Sequence, residues 1–348
     1  MSRSSILNFE SLEGFSPRFP KTLFWVAILI AALEGALRLI PEEKLMPDKS
    51  RQGEIAFIER DVLPKFPAPR IVLLGSSRMR RAVVPRMLDE LLELPKNSTI
   101  NLGLSSGRIF EALWLYERNL PRLSSAKLVV LNIDEWQLSS GWLLGSLYEM
   151  HAPWRERLQF ADGTGNKLIL DGILSMRHKL KLLPNAISRA LALHKSGRIE
   201  LTFDENNQIL PPPRKNKPEN EAEKYQTEMR AFYDRFEIHP VMESHVEQLA
   251  RRIAETGGRL VLMQLPNRDA YQALVNREKG REYAQHVAAL RALAQRIGVP
   301  LLFYEHPSEC GLNEESYEDY GHMNPDGAQA FTKFFAKTIK AEKWLEKP

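Results

Sequence analysis

Residues 70–78 read RIVLLGSSR, and they already point to a fold class. The first half is a short run of isoleucine, valine and leucine without polar alternation, which predicts a strand buried on both faces. The run ends at Gly75, and a Gly-Ser-Ser turn follows. Such runs are typical of parallel sheets, whose ligands bind beyond the carboxyl ends of the strands.

Four further apolar runs alternate with amphipathic helices along the chain. The other strands are predicted at 98–103, 127–133, 259–265 and 299–304, and the helices at 83–94, 108–120, 240–258, 286–298 and from 325 onward. Asn324 as N-cap and Pro325 at the first helical position mark the start of the last helix. The alternation predicts a three-layer α/β/α sandwich with a five-stranded parallel, flavodoxin-like sheet.

The pattern divides the chain into six parts. They are an N-terminal tail (1–21), a transmembrane anchor (22–41), a linker rich in proline (42–69), the two parts of the α/β domain (70–137 and 236–348), and an insertion between them (138–235). The insertion contains short apolar patches and a charged stretch, so we expect it to be partly helical and partly loop.

The anchor prediction rests on an apolar stretch near the N-terminus. Residues 22–33 carry no charge, and up to Ile40 only Glu34 and Arg38 interrupt the apolar character. A spanning helix needs roughly 20 such residues, which this stretch barely supplies. A cleavable signal peptide or a buried helix are the alternatives, although no small-x-small cleavage site follows. Basic residues lie on both sides, so charge alone does not indicate an orientation.

Composition excludes several classes of protein. The 348 residues contain 48 basic and 44 acidic side chains, and a net charge of +4 spread along the chain argues against a dedicated nucleic-acid binder. Cys310 is the only cysteine, which excludes a disulfide framework and cysteine-rich metal sites. The histidines show no metal-ligand spacing, so the sequence implies no metal and no cofactor.

Three residues at predicted strand ends and loops suit nucleophilic catalysis. A serine hydroxyl needs a base that takes its proton and a third group that orients the base. Ser77 follows the first strand, and Asp319 lies three residues before His322 in the loop ahead of the last helix. The backbone amides of Ser77 and Gly107 could receive an oxyanion. Alternatively, the Gly-Ser-Ser turn caps a helix or binds a phosphate, and His322 is a capping or packing residue.

These motifs resemble the SGNH (GDSL-like) hydrolase superfamily over residues 70–137 and 238–340. Gly75-Ser76-Ser77 resembles the first family block, with Ser77 in the nucleophile position. Asp319 and His322, followed by N-P-x-G, match the last block and are the most specific feature. Gly107 resembles the glycine of the second block, but it lies one residue further from Asn101 than expected, so Ser106 competes with it.

The third block departs from the family pattern. The usual Gly-x-Asn falls on Asn132-Ile133-Asp134, so an acid stands where the oxyanion-hole asparagine belongs. Asp134 must then be protonated, turned away or replaced in that role, because a carboxylate repels an oxyanion. Asn132 is the remaining candidate donor at this strand end, while Ser106 and Asp134 are secondary candidates. Asp134 and Glu135 are expected to point to opposite sides of an extended segment.

The anchor, the GSSR block and the altered third block together are similar to the membrane-anchored SGNH proteins that modify bacterial envelope polysaccharides and exopolysaccharides. The resemblance implies a domain on the periplasmic or extracellular side of the cytoplasmic membrane. It also implies an acyl-Ser77 intermediate, a polysaccharide hydroxyl or water as acceptor, and a membrane-bound acyltransferase partner. A catalytically silent scaffold of such a complex, and an esterase of lipid or peptidoglycan, are the alternatives.

Overall fold

The computed structural model describes most of the chain outside the N-terminal tail and the centre of the insertion. The described residues are 21–39, 51–139, 148, 151–157, 202–210, 220–234 and 236–346. The strands are β1 (Ile71–Leu74), β2 (Thr99–Asn101), β3 (Leu128–Asn132), β4 (Thr202–Phe203), β5 (Ile209–Leu210), β6 (Arg259–Gln264) and β7 (Leu301–Phe303).

The helices begin with α1 (Lys21–Leu39) and α2 (Arg51–Phe57), which continues as a π-helical turn (Ile58–Val62). They continue with α3 (Ser77–Ala82), α4 (Pro85–Leu91), α5 (Ile109–Arg118), α6 (Leu120–Leu123), α7 (Trp154–Arg157), α8 (Glu221–Tyr233), α9 (Pro240–Glu255), α10 (Asp269–Ile297) and α11 (Pro325–Ala341).

The main sheet has five parallel strands in the order β2-β1-β3-β6-β7. From β1 the chain first adds β2 on one side and then adds β3, β6 and β7 on the other side. This is the doubly wound order that the sequence pattern predicts. All five strands lie within the predicted runs, so the predicted sheet is confirmed. The carboxyl ends of β1, β2, β3 and β6 therefore meet at one edge.

Both faces of the sheet are covered, as the unbroken apolar strands require. Along β1, Val72 and Leu74 belong to one core together with residues of α5 and α9. Ile71 and Leu73 belong to a second core together with residues of α3, α4 and α11. Successive side chains of a strand point to opposite faces, so each strand contributes to both cores.

Two helices differ from the sequence prediction. α3 was not expected, because its charged residues show no apolar periodicity, although Arg78 and Arg80 are buried. α10 begins at Asp269, well before the predicted start at residue 286. The helix is bent at Lys279, where φ is −135° and ψ is 25°, and this bend interrupts the periodic pattern.

The N-terminal apolar stretch forms α1, which corresponds to most of the predicted anchor at 22–41. Among the described residues, however, no helix has the length and apolarity that crossing a membrane requires. The uncharged run ends at Leu33, and Glu34 follows it within the helix.

Only parts of the insertion at 138–235 are described. They comprise α7, α8 and the antiparallel pair β4–β5, with Thr202 opposite Leu210. The insertion therefore contains helix, as expected, and also a short hairpin that the sequence did not predict. The rest of it, including the charged stretch from Arg214, lies outside the described residues.

His286 on α10 is a fully buried histidine that titrates far from its normal range. Its Nε2 lies 2.7 Å from Oε1 of Gln264. Burial lowers the pKa of His286 from 6.5 to about 3; the charge of Asp134 opposes the shift and that of Arg78 adds to it. The folded protein therefore holds this imidazole neutral.

We expect His286 to destabilise the protein in acid. The pKa of His286 is lower in the folded than in the unfolded protein. Its contribution to the free energy of unfolding is therefore complete above pH 6.5 and is lost as the pH falls toward 3. Within this range the free energy of unfolding falls by about 1.4 kcal/mol per pH unit. In urea unfolding at a series of pH values, His286→Gln should flatten the dependence, whereas His306→Gln, at an exposed site, should leave it steep. Equal slopes for the protein and His286→Gln would contradict this assignment.

Candidate active site

A cavity of about 270 Å³ opens at the carboxyl edge of the sheet. It is lined by residues that follow β1, β2 and β3, by the loop before α11, and by α8 of the insertion. The lining residues are Ser76, Ser77, Arg78, Arg80, Arg81, Ser105, Ser106, Asp134, Trp136, Lys224, Glu228, Phe232, Asp319, Tyr320 and His322. The structure thus brings all three predicted catalytic residues into one cavity.

Ser77 is presented by a tight turn between β1 and α3. Gly75 has φ +132°, and a Cβ there would lie 2.8 Å from the carbonyl oxygen of Asn132, so only glycine fits. Ser76 is the N-cap of α3 and accepts a hydrogen bond from the amide of Arg78 at 3.1 Å. Ser77 is the first residue of the helix, and its Oγ lies 2.8 Å from Nε2 of His322.

His322 is oriented by Asp319. The Nδ1 atom of His322 is 2.9 Å from each carboxylate oxygen of Asp319. Asp319 also accepts hydrogen bonds from the backbone amides of Gly321 at 3.1 Å and of His322 at 2.9 Å. Burial alone would raise the pKa of Asp319, but His322 and the two amides outweigh it and hold that pKa well below its usual range. With Nδ1–H directed at the carboxylate, Nε2 can accept the Ser77 hydroxyl proton.

Arg78, the residue after the serine, is a buried charged side chain at the inner end of the cavity. Its Nη1 lies 3.1 Å from Oδ1 of Asp134 and 2.9 Å from Oε2 of Glu135. Nη2 donates to the carbonyls of Leu265 and Pro266, at 2.8 and 3.1 Å. Burial alone would lower the pKa of Arg78, but the charges of Asp134 and Glu135 raise it, so the guanidinium stays charged.

Asp134 and Glu135 therefore point to the same cation, and the prediction that they point to opposite sides is wrong. The chain leaves its extended conformation directly after β3 and forms a turn there. Asp134 is fully buried and accepts hydrogen bonds from the hydroxyl of Ser76 and, at 2.8 Å, from Nδ2 of Asn132. Its oxygens are thus occupied by donors within the protein.

Asn132 and Gly107, both predicted to donate to the oxyanion, instead donate hydrogen bonds within the protein in this structure. Asn132 is fully buried, its Nδ2 bonds Asp134, and it does not line the cavity. The amide of Gly107 donates to the carbonyl of Leu104 at 3.0 Å. Gly107 is required for a different reason, because a Cβ there would lie 2.5 Å from the carbonyl oxygen of Gly75.

Ser106 occupies the position that the second block assigns to glycine. Its φ is +47°, the left-handed region that glycine favours, and the residue lines the cavity. In the described part of the chain, its amide has no hydrogen-bond acceptor. The amide of Ser77 lies at the first position of α3, where helical amides have no partner within the helix. Among the described residues, these two amides are therefore candidate donors to an oxyanion.

A residue that the sequence did not indicate fixes the loop of Ser106. Glu54 on α2 is buried and accepts the amide of Ser105 at 3.0 Å and its hydroxyl at 3.3 Å. Arg80 bonds the same carboxylate and donates to Oγ of Ser105 at 3.0 Å. Glu54 lies in the segment interpreted as a linker, and no local pattern links it to a loop about fifty residues later.

The insertion supplies one wall of the cavity through α8. Phe232 stacks on Trp136, with ring centres 5.9 Å apart and planes inclined by 20°. Arg268 holds the start of α8 by hydrogen bonds to the hydroxyl of Tyr225 at 3.0 Å and to Glu221 at 2.5 Å. In the described part of the chain, no three histidine, cysteine or acidic side chains converge in a group that could hold a metal ion.

Comparison with known proteins gives only distant likenesses. No family model and no curated protein matches the chain. Among solved structures, 11 chains match. One is a provisionally assigned acylhydrolase from Bacteroides fragilis, with 13% identity and a TM-score of 0.40, covering 83% of this chain and 96% of that one. Another is a GDSL-like lipase from Bacteroides thetaiotaomicron, with 12% identity and a TM-score of 0.36, covering 83% and 95%. Likenesses this weak do not indicate an activity.

We expect Arg78→Met to destabilise the protein strongly. The substitution leaves two buried carboxylates without their cation, a change that typically costs about 3–5 kcal/mol. The matched control is Arg86→Met, which removes an exposed pair with Glu90. It should cost less than about 1 kcal/mol. Urea unfolding measures both, and similar losses would contradict the structural role assigned to Arg78.

Proposed function

We propose that the chain is a serine acyl-transfer enzyme of the SGNH type. The proposal is carried by the hydrogen-bonded series from Oγ of Ser77 through His322 to Asp319, with distances of 2.8 and 2.9 Å. This is the arrangement that activates a serine: a nucleophile within reach of a base, and the base oriented by a buried carboxylate.

The reaction follows from these positions. Oγ of Ser77 attacks the acyl carbonyl of the donor while Nε2 of His322 takes the hydroxyl proton, and Asp319 stabilises the imidazolium. The amides of Ser77 and Ser106 donate to the oxyanion as it forms. The tetrahedral intermediate collapses, and His322 gives the proton to the leaving oxygen. In the second half, His322 deprotonates the acceptor hydroxyl, which attacks acyl-Ser77. The second tetrahedral intermediate collapses, the bond to Oγ of Ser77 breaks, and His322 returns the proton to Oγ.

The buried carboxylate of Asp134 does not oppose this chemistry. Its charge is compensated by Arg78, with Nη1 at 3.1 Å, and by the two further donors Ser76 and Asn132. Of the possibilities that the sequence left for Asp134, replacement in the oxyanion role agrees best with these contacts. The oxyanion would then be bound by two backbone amides rather than by two amides and an asparagine.

The acceptor and the cellular location are part of the proposal. We propose that the acceptor is a hydroxyl of an envelope or extracellular polysaccharide, with O-acetylation or deacetylation as the reaction and a membrane acyltransferase as possible acyl donor. We propose attachment to the cytoplasmic membrane through α1, which is supported by its exposed Phe24, Trp25 and Leu29. The location of the domain on the outer side is proposed from the sequence resemblance alone. Loss of the full chain from the membrane fraction in an alkaline carbonate wash would contradict attachment by insertion.

A silent scaffold for a membrane acyltransferase is the second candidate function. The observation that favours it is Asp134, which removes the side-chain donor that the third block normally supplies. A lipid or peptidoglycan esterase would use the same three catalytic residues and differ in the cavity wall. Ser77 separates the scaffold from both enzymes, because only an enzyme needs its hydroxyl.

Ser77→Ala should abolish hydrolysis of acetyl esters by the full chain in neutral detergent. The loss should be at least about a thousandfold, because the acyl-enzyme cannot form. The thermal unfolding midpoint should change little, since among the described residues the Ser77 side chain forms a hydrogen bond to His322 alone. Unchanged activity would rule out the assigned nucleophile. Intact function in cells that carry Ser77→Ala would favour the scaffold.

Glu54→Ala should lower kcat while KM stays nearly constant. Without the carboxylate, the amide of Ser105 loses its acceptor and the adjacent Ser106 amide is no longer fixed. Misplacement of such a group costs up to about a hundredfold in rate. Glu59→Ala, which removes a partner of Arg118, is the control from the same segment and should keep the normal kcat. Steady-state kinetics that show equal values for the two variants would exclude a positioning role for Glu54.

A further inference from the structure

A second concave surface lies at the amino edge of the sheet, opposite the Ser77 cavity. This amino-edge groove has a volume of about 1120 Å³. Its lining includes five cationic side chains (Arg70, Lys127, Arg251, Arg259 and Arg296) and two acidic ones (Glu247 and Glu346). The groove therefore carries a local excess of positive charge.

Three of these cations stand at the starts of adjacent strands. Arg70 and Lys127 precede β1 and β3, and Arg259 is the first residue of β6. The amide of Lys127 donates to the carbonyl of Arg70 at 2.8 Å, and that of Arg259 to the carbonyl of Lys127 at 3.0 Å. Neighbouring strands lie about 4.8 Å apart, so the three backbones span about 10 Å.

Most of this positive charge is not neutralised by the protein. Arg296 is paired with Glu243 and Glu247, at 2.7 and 3.0 Å. Across the described residues, Arg70, Lys127 and Arg259 have neither a carboxylate partner nor a side-chain hydrogen bond. The C-termini of α9 and α10 lie at the same edge. Each carries only about half a negative charge, so together they neutralise only part of the positive charge. Three full charges therefore remain available to a ligand.

The groove also has an apolar floor. Leu260 and Trp344 are buried there, and Ile297 and Val299 line it beside them. Guanidinium groups bind phosphate oxygens in pairs, and a phosphate monoester carries up to two charges. An apolar floor beneath a cationic rim thus matches a molecule with a phosphate at one end and an apolar part at the other.

We propose that the amino-edge groove binds a phosphate ester with an apolar organic part. The ester could be a phospholipid at a membrane surface or a free organic phosphate, since both offer the same group to the cations. Because the groove and the Ser77 cavity lie at opposite edges of the sheet, binding here would leave the cavity open. The proposal does not depend on the activity of Ser77.

Binding by the full chain tests the proposal with two probes. The first is hexyl phosphate in solution, titrated by calorimetry with the chain in neutral detergent. The second is phosphatidylcholine vesicles with and without phosphatidylglycerol, mixed with the chain after removal of detergent and compared by flotation, where the difference between the two vesicles is the signal. We expect binding in one arm, and that arm identifies the source. The combined variant Arg70→Gln, Lys127→Gln, Arg259→Gln should weaken it at least about tenfold.

The control carries the same charge change at exposed positions outside the groove: Arg230→Gln, Arg281→Gln, Lys333→Gln. It should keep the affinity of the unmodified chain within about twofold. The proposal fails if the unmodified chain binds neither probe, if the groove variant binds as well as the control, or if both variants lose binding equally. Groove-dependent binding of polygalacturonate without either phosphate probe would identify a carboxylated polymer instead and would also overturn it.

Discussion

The buried guanidinium of Arg78 holds the candidate site together. It joins the turn after β3 through Asp134 and Glu135, the end of β6 through two carbonyls, and the loop of His322 through the carbonyl of Gly321 at 3.3 Å. Arg78 directly follows Ser77 on α3. The same residue therefore fixes the position of the serine relative to the base, although it takes no part in proton transfer.

Arg78 also explains how an acid is accommodated at position 134, where the SGNH pattern that the sequence resembles has asparagine. A buried carboxylate is costly unless a cation and hydrogen bonds compensate it, and Asp134 has both. Arg78 and Asp134 are thus complementary parts of one feature, although 56 positions separate them in the sequence. Glu54 and Arg80 form a second buried ion pair, which fixes the loop of Ser106. In the proposed mechanism, backbone amides positioned by these two ion pairs take the place of a donating asparagine side chain.

The sequence predicts the parts of this structure that depend on local pattern. The five strands follow from unbroken apolar runs, and Ser77, Asp319 and His322 converge because each lies at the carboxyl edge. The errors concern interactions between distant segments. Gly107 was favoured over Ser106 because glycine identity suggested the donor, yet Gly107 is needed for its close approach to Gly75.

Other elements could not have been predicted for the same reason. The contact of Glu54 with Ser105 joins segments with no shared periodicity, and the wall that α8 forms depends on how an insertion packs onto the domain. The helix α3 cannot be recognised from the sequence, because its buried face carries Arg78 and Arg80 and therefore shows no apolar periodicity. These are tertiary effects that outweigh local propensity.

Mass spectrometry can show whether Ser77 carries the acyl group. The full chain is mixed briefly with an activated acetyl ester, quenched in acid and digested. We predict acetylation of the peptide that contains Ser77 and its absence when His322 is replaced by asparagine. Turnover of the ester without acetyl-Ser77, or equal labelling in the His322→Asn variant, would contradict the account.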